Sequence, residues 1–235
     1  MIRKFIDAVF AGLSISIGAL LYLTCTDKVF GAIFFSVGLY TVLWFGFNLY
    51  TGKVGYVRKW KEIPLMLFYI LGNAVGCLVL FLFPEIRTDM FEAKLAFPWY
   101  TVLAKSVICG ILISIAVEQF KRENAWAVLI AVPAFILCGA EHSIADIGYM
   151  ILTRTFTLEA FGFLALVLVG NAVGSLLIGL WVDYRKKKEE AAKQPERDEV
   201  AGQPEQPEQP EQTKQLERTE PTERAEQPKE TEKAE

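Results

Sequence analysis

The pentapeptide GNAVG occurs at residues 72–76 and again at residues 170–174, each time inside a long apolar stretch. Glycines four residues apart let two helices approach closely inside a membrane, and an asparagine between them can hydrogen-bond across the contact. A chance match of common membrane residues is the alternative, because short motifs recur by accident. We favour an internal duplication, in which each copy belongs to one half of a membrane protein.

Composition divides the chain into two parts. The chain has 235 residues, of which 53% are hydrophobic, and a mean hydropathy of +0.32. Residues 1–184 are almost all apolar, whereas residues 185–235 are almost all polar. This split predicts a membrane domain followed by a charged cytoplasmic tail. The formal net charge of -3 comes largely from the Glu-rich tail, so it says little about a ligand.

The tail has no aromatic residue, and it contains three tandem Gln-Pro-Glu repeats at residues 203–211. Such a segment cannot bury enough apolar surface to offset the entropy lost on ordering. We therefore predict that the tail, from about Arg185, is disordered with local polyproline II character. A solubilising role is the favoured interpretation of this composition, ahead of specific docking.

Six apolar stretches are long enough to cross a bilayer. They run from about 5–23, 30–47, 63–83, 98–120, from 126 with an interruption near 139, and 161–184. With six spans, the main clusters of Lys and Arg all fall on one side of the membrane, which the positive-inside rule assigns to the cytoplasm. The sequence thus predicts a multi-pass protein of the cell membrane with both termini cytoplasmic.

The two GNAVG copies lie in the third and sixth spans, which run in opposite directions because an odd number of spans separates them. Two halves related in this way are inverted three-helix repeats. The expected fold is therefore all-α, with six transmembrane helices arranged as two inverted repeats.

The second and fifth spans are interrupted at corresponding places. The second contains GFNLYTG at 46–52, and the fifth contains GAEHSIAD at 139–146. Non-helical backbone at membrane depth is tolerated only where protein or a water-filled cavity surrounds it. Broken helices in matching positions of two halves point to a substrate site. Gly46 and Gly52 permit alternative backbone conformations, so the first loop is a candidate gate, with a fixed loop as the alternative.

His142 is the only histidine in the chain. An ionisable side chain inside a membrane is costly and is a functional candidate by default. The alternative is a core histidine with its hydrogen bonds satisfied, and we favour a histidine that lines a pore. For Glu141 we favour a carboxylate that caps exposed backbone N–H groups of the break over one that contacts substrate.

The segment EHSIA at 141–145, the Thr51-Gly52 break and both GNxxG motifs make residues 1–184 resemble the formate/nitrite transporter family. This resemblance implies an aquaporin-like fold and a homopentamer with one pore in each protomer. It also implies passage of small monovalent anions of weak acids. Three residues depart from the family pattern: Tyr50 replaces a common Phe, Asp146 a usual Asn, and Gly110 a common Asn.

The resemblance also implies roles for individual residues. It places His142 on the family's central pore histidine and Lys94 on a basic residue at the outer mouth. Apolar constrictions fall on Phe35, Leu39 and Phe135, and the interrupting loop falls on Leu49, Tyr50 and Thr51. We add Asn73 and Asn171 to the expected substrate pathway, and we treat Glu141, Gly46 and Gly52 as structural residues of the breaks.

The predicted function is transport of a small weak-acid anion, formate first, with nitrite and hydrosulfide as the other candidates. Protonation during passage is expected, because a bare anion is costly to move into a low-dielectric constriction. A water or neutral-solute channel of the aquaporin type is the alternative, although neither break contains the Asn-Pro-Ala signature.

An intramembrane enzyme is a third class, but the chain has a single histidine and no Gly-x-Ser-x-Gly motif. The four cysteines lack metal-ligand spacing and are interpreted as small packing residues. We expect no enzymatic activity, no cofactor, no metal and no nucleic-acid partner. The expected partners are the small anion, membrane lipid and further copies of the chain.

Overall fold

The computed structural model describes residues 1–86 and 88–201, and within them every regular element is helical. The helices are α1 (Ile2–Thr24), α2 (Lys28–Phe45), α3 (Tyr50–Lys53), α4 (Ile63–Cys77), α5 (Met90–Leu95), α6 (Trp99–Phe120), α7 (Trp126–Leu137), α8 (Ser143–Thr153) and α9 (Leu158–Ala201). Short 3-10 turns on either side of α4 extend it to a helical stretch of Trp60–Leu82.

Five helices are long and apolar enough to cross a membrane: α1, α2, the Trp60–Leu82 stretch, α6 and α9 as far as Ala192. They correspond to five of the six predicted spans. At the position of the predicted fifth span the structure has two shorter apolar helices, α7 and α8. Helix α7 ends at Leu137 and α8 begins at Ser143, so the interruption predicted near residue 139 is longer than one residue.

Close helix contacts form at the duplicated glycines. Helix α1 packs against α2 and α4. A Cβ atom on Gly76 would collide with the backbone carbonyl of Val9 in α1, and one on Gly174 would collide with the carbonyl of Val107 in α6. The tight approach expected from the GNAVG motifs is therefore confirmed in both copies.

Helix α9 continues past Tyr184, where the sequence analysis placed the start of a disordered tail. Residues 185–201 differ from that prediction because Lys, Glu and Ala favour helix, and Arg185 pairs with Glu189 one turn later. The Gln-Pro-Glu repeats lie outside the described residues. The chain divides into a compact unit of Met1–Ala192 and a second unit of Lys193–Glu235. The site lies within the first unit.

Candidate functional site

Two non-helical segments interrupt the helices at matching points. Helix α2 ends at Phe45 and is followed by Gly46, which has φ 70°, and α3 begins at Tyr50. After α7, Gly139 has φ 69°, and α8 begins at Ser143. Glycine adopts this left-handed conformation at little cost, and a residue in this conformation commonly terminates an α-helix and changes the direction of the backbone. Each segment therefore ends a helix with a glycine and starts a new one within a few residues.

Asn73 of α4 holds the first segment in place. Its Oδ1 accepts a hydrogen bond from the backbone N–H of Tyr50 at 2.9 Å. Its Nδ2 donates to the carbonyls of Ala8 at 2.8 Å and Asn48 at 3.0 Å. One buried amide thus satisfies backbone groups on both sides of Leu49 and ties them to α1.

Asn171 of α9 holds the second segment by the same three bonds. Its Oδ1 accepts from the N–H of Ser143 at 2.9 Å, and its Nδ2 donates to the carbonyls of Glu141 at 2.8 Å and Ser106 at 2.9 Å. We predicted both asparagines in the substrate pathway. In the structure both side chains are fully buried and their amide groups are bonded to backbone. Neither asparagine lines the 460 Å³ cavity or the 220 Å³ cavity described below.

His142 lies between Glu141 and Ser143, whose backbone carbonyl and N–H are bound by Asn171. The histidine is only 2% exposed. Its Nδ1 accepts from the N–H of Ala145 at 3.1 Å and so caps α8. A neutral ring with Nδ1 as acceptor carries its proton on Nε2. Nε2 lies 3.0 Å from Oγ1 of Thr51, so the ring donates to that hydroxyl. The phenyl ring of Phe135 stacks on the imidazole at 5.8 Å between centroids.

A cavity of about 460 Å³, which we label the outer cavity, reaches His142 from one end of the molecule. Phe35 and Phe135 line it beside the imidazole, and their rings meet edge to face at 6.0 Å. Lys94, the predicted outer-mouth residue, also lines this cavity. The structure thus brings the predicted histidine, lysine and two of the predicted constriction residues around one space.

An inner cavity of about 220 Å³ opens at the other end of α2. Leu39, Leu49, Gly46 and Gly52 line it, all of them predicted site residues. The outer cavity contains Lys28 from the start of α2, and the inner cavity contains Gly46 just after its end. Phe35 lines the outer cavity and Leu39 lines the inner cavity. The two residues are one helical turn apart on α2.

Tyr50 differs from its predicted place at a constriction. Its hydroxyl donates to the carbonyl of Leu168 at 3.0 Å, and its backbone N–H is bound by Asn73. Within the described part of the chain it does not line either cavity. The phenol has turned toward α9 because a buried hydroxyl needs a hydrogen-bond partner.

A cluster of lysines and carboxylates lies beside the histidine. The Lys94 ammonium donates to Oε2 of Glu141 at 2.5 Å and to Oδ1 of Asp146 at 2.6 Å. Lys105 Nζ lies 3.9 Å from Oε1 of Glu141. Burial by itself lowers the pKa of Lys94, but the charges of Asp146 and Glu141 outweigh it and raise the pKa above its ordinary value. Lys94 therefore keeps its positive charge near neutral pH.

Glu141 differs from its predicted capping role, because its carboxylate pairs with two lysines. The N–H groups at the start of α8 are instead satisfied by Asn171 and by the ring of His142. Sequence reasoning also missed Lys105 and Asp146 as site residues. Asp146 follows His142 by four residues, so the helical period would have placed them on one face, whereas Lys105 carries no local signal.

Comparison with known proteins agrees with this geometry. The family model described as "Formate/nitrite transporter" matches residues 1–184. A solved "Pentameric formate channel with formate bound" is 23% identical, with a TM-score of 0.66, and the match covers 78% of this chain and 96% of that one. An "FNT family ion channel" has the same identity, TM-score and coverage of this chain, with 88% of that chain covered. No curated protein matches.

At this identity the two solved structures establish the fold, and the family model establishes the relationship. The predicted resemblance is confirmed, and so is the prediction of a membrane transport protein in place of an enzyme. With its multi-pass apolar helices, its interrupted segments and the match over residues 1–184, the chain belongs to the formate/nitrite transporter family.

Proposed function

We propose that the chain transports a small weak-acid monovalent anion, formate first, with nitrite and hydrosulfide as the other candidates. The observation that carries this proposal is the arrangement of two cavities at opposite ends of α2, with the His142–Thr51 hydrogen bond between them. The family description and the formate-bound structural neighbour support formate as the first choice.

Access begins at the outer cavity, where three lysines face the space: Lys28, Lys94 and Lys105. Fixed cations in a cleft with low-dielectric walls raise the local concentration of an anion and speed its arrival when their charge exceeds that of the ionised carboxylates beside them. The carboxylates of this cavity are Asp89, Glu141 and Asp146. Lys105 also lies over the ring of Phe97 at 3.7 Å, which holds its ammonium at the wall of the cavity.

At the centre, His142 offers one N–H donor. Because Nδ1 is occupied by the α8 cap, the ring can exchange Thr51 for a substrate oxygen only through Nε2. The rings of Phe35 and Phe135 surround this point with apolar surface, where a bare anion is costly and a neutral acid is not. The anion therefore gains a proton before it reaches Leu39 and Leu49.

The proposed architecture has six spans in two inverted repeats, with α7 and α8 together forming the interrupted fifth span and α2 and α3 the interrupted second. Three pairs of residues with identical sequence separation support it: Asn73 with Asn171, Gly12 with Gly110, and Gly76 with Gly174. In every pair the two members meet equivalent neighbours across the α1–α4 contact and the α6–α9 contact.

The proposed assembly is a homopentamer in the cell membrane with both termini cytoplasmic. A pentameric structural neighbour and the large apolar side chains exposed on the protomer, such as Trp44, Leu67 and Val169, support assembly or lipid contact. The basic clusters of the sequence support the orientation.

Uptake into liposomes that contain the purified full chain tests the function. Formate, nitrite, hydrosulfide and glycerol are compared side by side, with empty liposomes as the control. The proposal expects at least one of the three anions to enter faster than glycerol. Glycerol uptake that exceeds all three anions would instead establish a neutral-solute channel of the aquaporin type.

A further inference from the structure

The described residues that line the outer cavity carry equal numbers of positive and negative groups. The cations are Lys28, Lys94 and Lys105, and the carboxylates are Asp89, Glu141 and Asp146. With all six ionised and His142 neutral, these charges sum to zero. A cavity without net charge gives an anion little electrostatic attraction, whereas one bound proton makes the same cavity positive.

The three carboxylates differ in how well their charge is compensated. Asp89 is exposed to solvent. Glu141 has a lysine near each oxygen, Lys94 at 2.5 Å and Lys105 at 3.9 Å. Asp146 is 0% exposed, and only its Oδ1 receives a hydrogen bond, from Lys94 at 2.6 Å.

The other oxygen of Asp146, Oδ2, is buried and has no hydrogen-bond partner among the described residues. An ionised carboxylate oxygen without a donor is costly in such a place. Lys94 divides one positive charge between two carboxylates, so a proton on one of them relieves the excess negative charge. Oδ2 of Asp146 is the position where a proton costs no existing bond.

We propose that Asp146 is the proton-binding residue of the outer cavity, and that a proton on its Oδ2 and a monovalent anion bind in the cavity together. This inference rests on the proposed function and names the group that links the proton to the anion.

The remaining titratable groups around Asp146 do not compete for this role. Tyr22 of α1 and Tyr149 of α8 line the same cavity, and Cys77 of α4 and Cys109 of α6 are buried nearby. Phenols and thiols ordinarily keep their protons near neutral pH. His142 would have to give up its Nδ1 bond to Ala145, and with it the cap of α8, to accept a second proton.

Inhibition of formate uptake by nitrate gives a test that solution protonation cannot mimic, because nitrate stays unprotonated at any pH used. In wild-type liposomes we expect nitrate to inhibit about tenfold more strongly at about pH 5 than at about pH 8, because the protonated cavity is positive. In Asp146→Asn, which keeps the Lys94 acceptor but cannot titrate, the inhibition constant is expected to be equal at the two pH values. Asp146→Glu should keep the wild-type dependence.

Glu159→Gln is the matched control, because it removes an exposed carboxylate on α9 that lies away from the cavity lining. It should keep the wild-type pH dependence. Wild type without pH-dependent nitrate inhibition, or Asp146→Asn with the wild-type dependence, would overturn the inference.

Proton uptake on nitrate addition, followed with a pH dye in weakly buffered detergent solution, gives a readout that needs no transport. We expect close to one proton per bound nitrate in wild type and none in Asp146→Asn. If Asp146→Asn does not assemble, the test uses wild type and Asp146→Glu, both of which should take up close to one proton per bound nitrate. Absence of proton uptake in wild type would overturn the inference. Proton uptake without transport of formate, nitrite or hydrosulfide would retain the inference and reject the proposed function.

Discussion

The two interrupted segments of the molecule share one scaffold but present different side chains. In the first, an asparagine binds backbone on both sides of Leu49, and in the second its counterpart binds backbone on both sides of His142. A leucine thus occupies the position that the histidine occupies in the other half. The duplicated asparagines bind the backbone of both segments, whereas the imidazole of His142 is present in only one of them.

The surroundings of the two segments differ in the same way. His142 lies beside a cluster of two lysines and two carboxylates, whereas Leu49 lines the inner cavity together with Leu39 and Val42. The duplicated asparagines therefore explain how the backbone can leave the helix twice, and the difference places ionisable groups beside only one of the two segments.

The largest expected effect comes from the duplicated glycines. Gly76→Val and Gly174→Val place a side chain against the carbonyls of Val9 and Val107, which are backbone and cannot turn away. Overpacking typically costs about 1–3 kcal/mol and occasionally more. A Cβ atom that collides with a backbone oxygen puts both variants at the upper end of that range, so we expect neither to yield an intact assembly on size-exclusion chromatography. Gly162→Ala, which meets open space, is the control and should behave as wild type. Normal yields from either valine variant would contradict the close approach.

The next largest effect should come from the two asparagines. Asn73→Leu and Asn171→Leu each leave two backbone groups of the interrupted segment without a partner, at about 1–3 kcal/mol for a buried group. Both variants should therefore lose at least about 2 kcal/mol of stability, seen as a much lower Tm in detergent. Ser175→Ala removes two longer bonds, of 3.2 and 3.4 Å, and is expected to cost about 1 kcal/mol. Unequal losses of stability in Asn73→Leu and Asn171→Leu would show that the two asparagines do not stabilise their segments equally.

Exchange of the two central residues separates scaffold from chemistry. His142→Leu places a leucine at both central positions, and we expect formate uptake into liposomes to fall at least about 100-fold, in the range seen when one positioned hydrogen-bond donor is removed. The double variant Leu49→His/His142→Leu should not recover uptake, because the lysines and carboxylates surround only the second segment. Leu49→Ile is the control. Recovery in the double variant would mean that the imidazole alone is sufficient.

The smallest effect is expected from an ion pair between the two halves. Arg58 Nε lies 2.7 Å from Oδ2 of Asp183, and both side chains are partly exposed. Exposed pairs contribute about 0–1 kcal/mol, so Asp183→Asn should lower the Tm by a few degrees at most, and less at high salt. The Tm is measured at low and high salt beside wild type. A large loss that salt does not reduce would indicate a structural role for Asp183.

Much of the fold could be predicted from composition and repetition. Long apolar runs identified the spanning helices, and the GNAVG pairs identified the close contacts of α4 and α9 with their neighbours. The helical start of the tail was missed because a segment with few apolar residues was judged on burial alone, although Lys, Glu and Ala favour helix by themselves.

The candidate site was predicted only in part. His142 stood out because it is a single ionisable group in an apolar run, and Thr51 because it lies in the other break. The roles of Asn73, Asn171, Tyr50 and Glu141 depend on partners far away in sequence. Spacing along the chain could not show that Glu141 faces Lys94 and Lys105, or that the phenol of Tyr50 reaches α9.

The central claim is that the transported anion passes His142 on its way between the outer and inner cavities. Because His142 is the only histidine, nitrogen-15 histidine labels this residue alone. Solid-state NMR on the labelled chain in lipid, saturated with carbon-13 formate, measures the distance from the formate carbon to the ring. The account predicts a population within about 4 Å of Nε2, as a hydrogen bond requires. Active formate uptake with no formate near this nitrogen would contradict it.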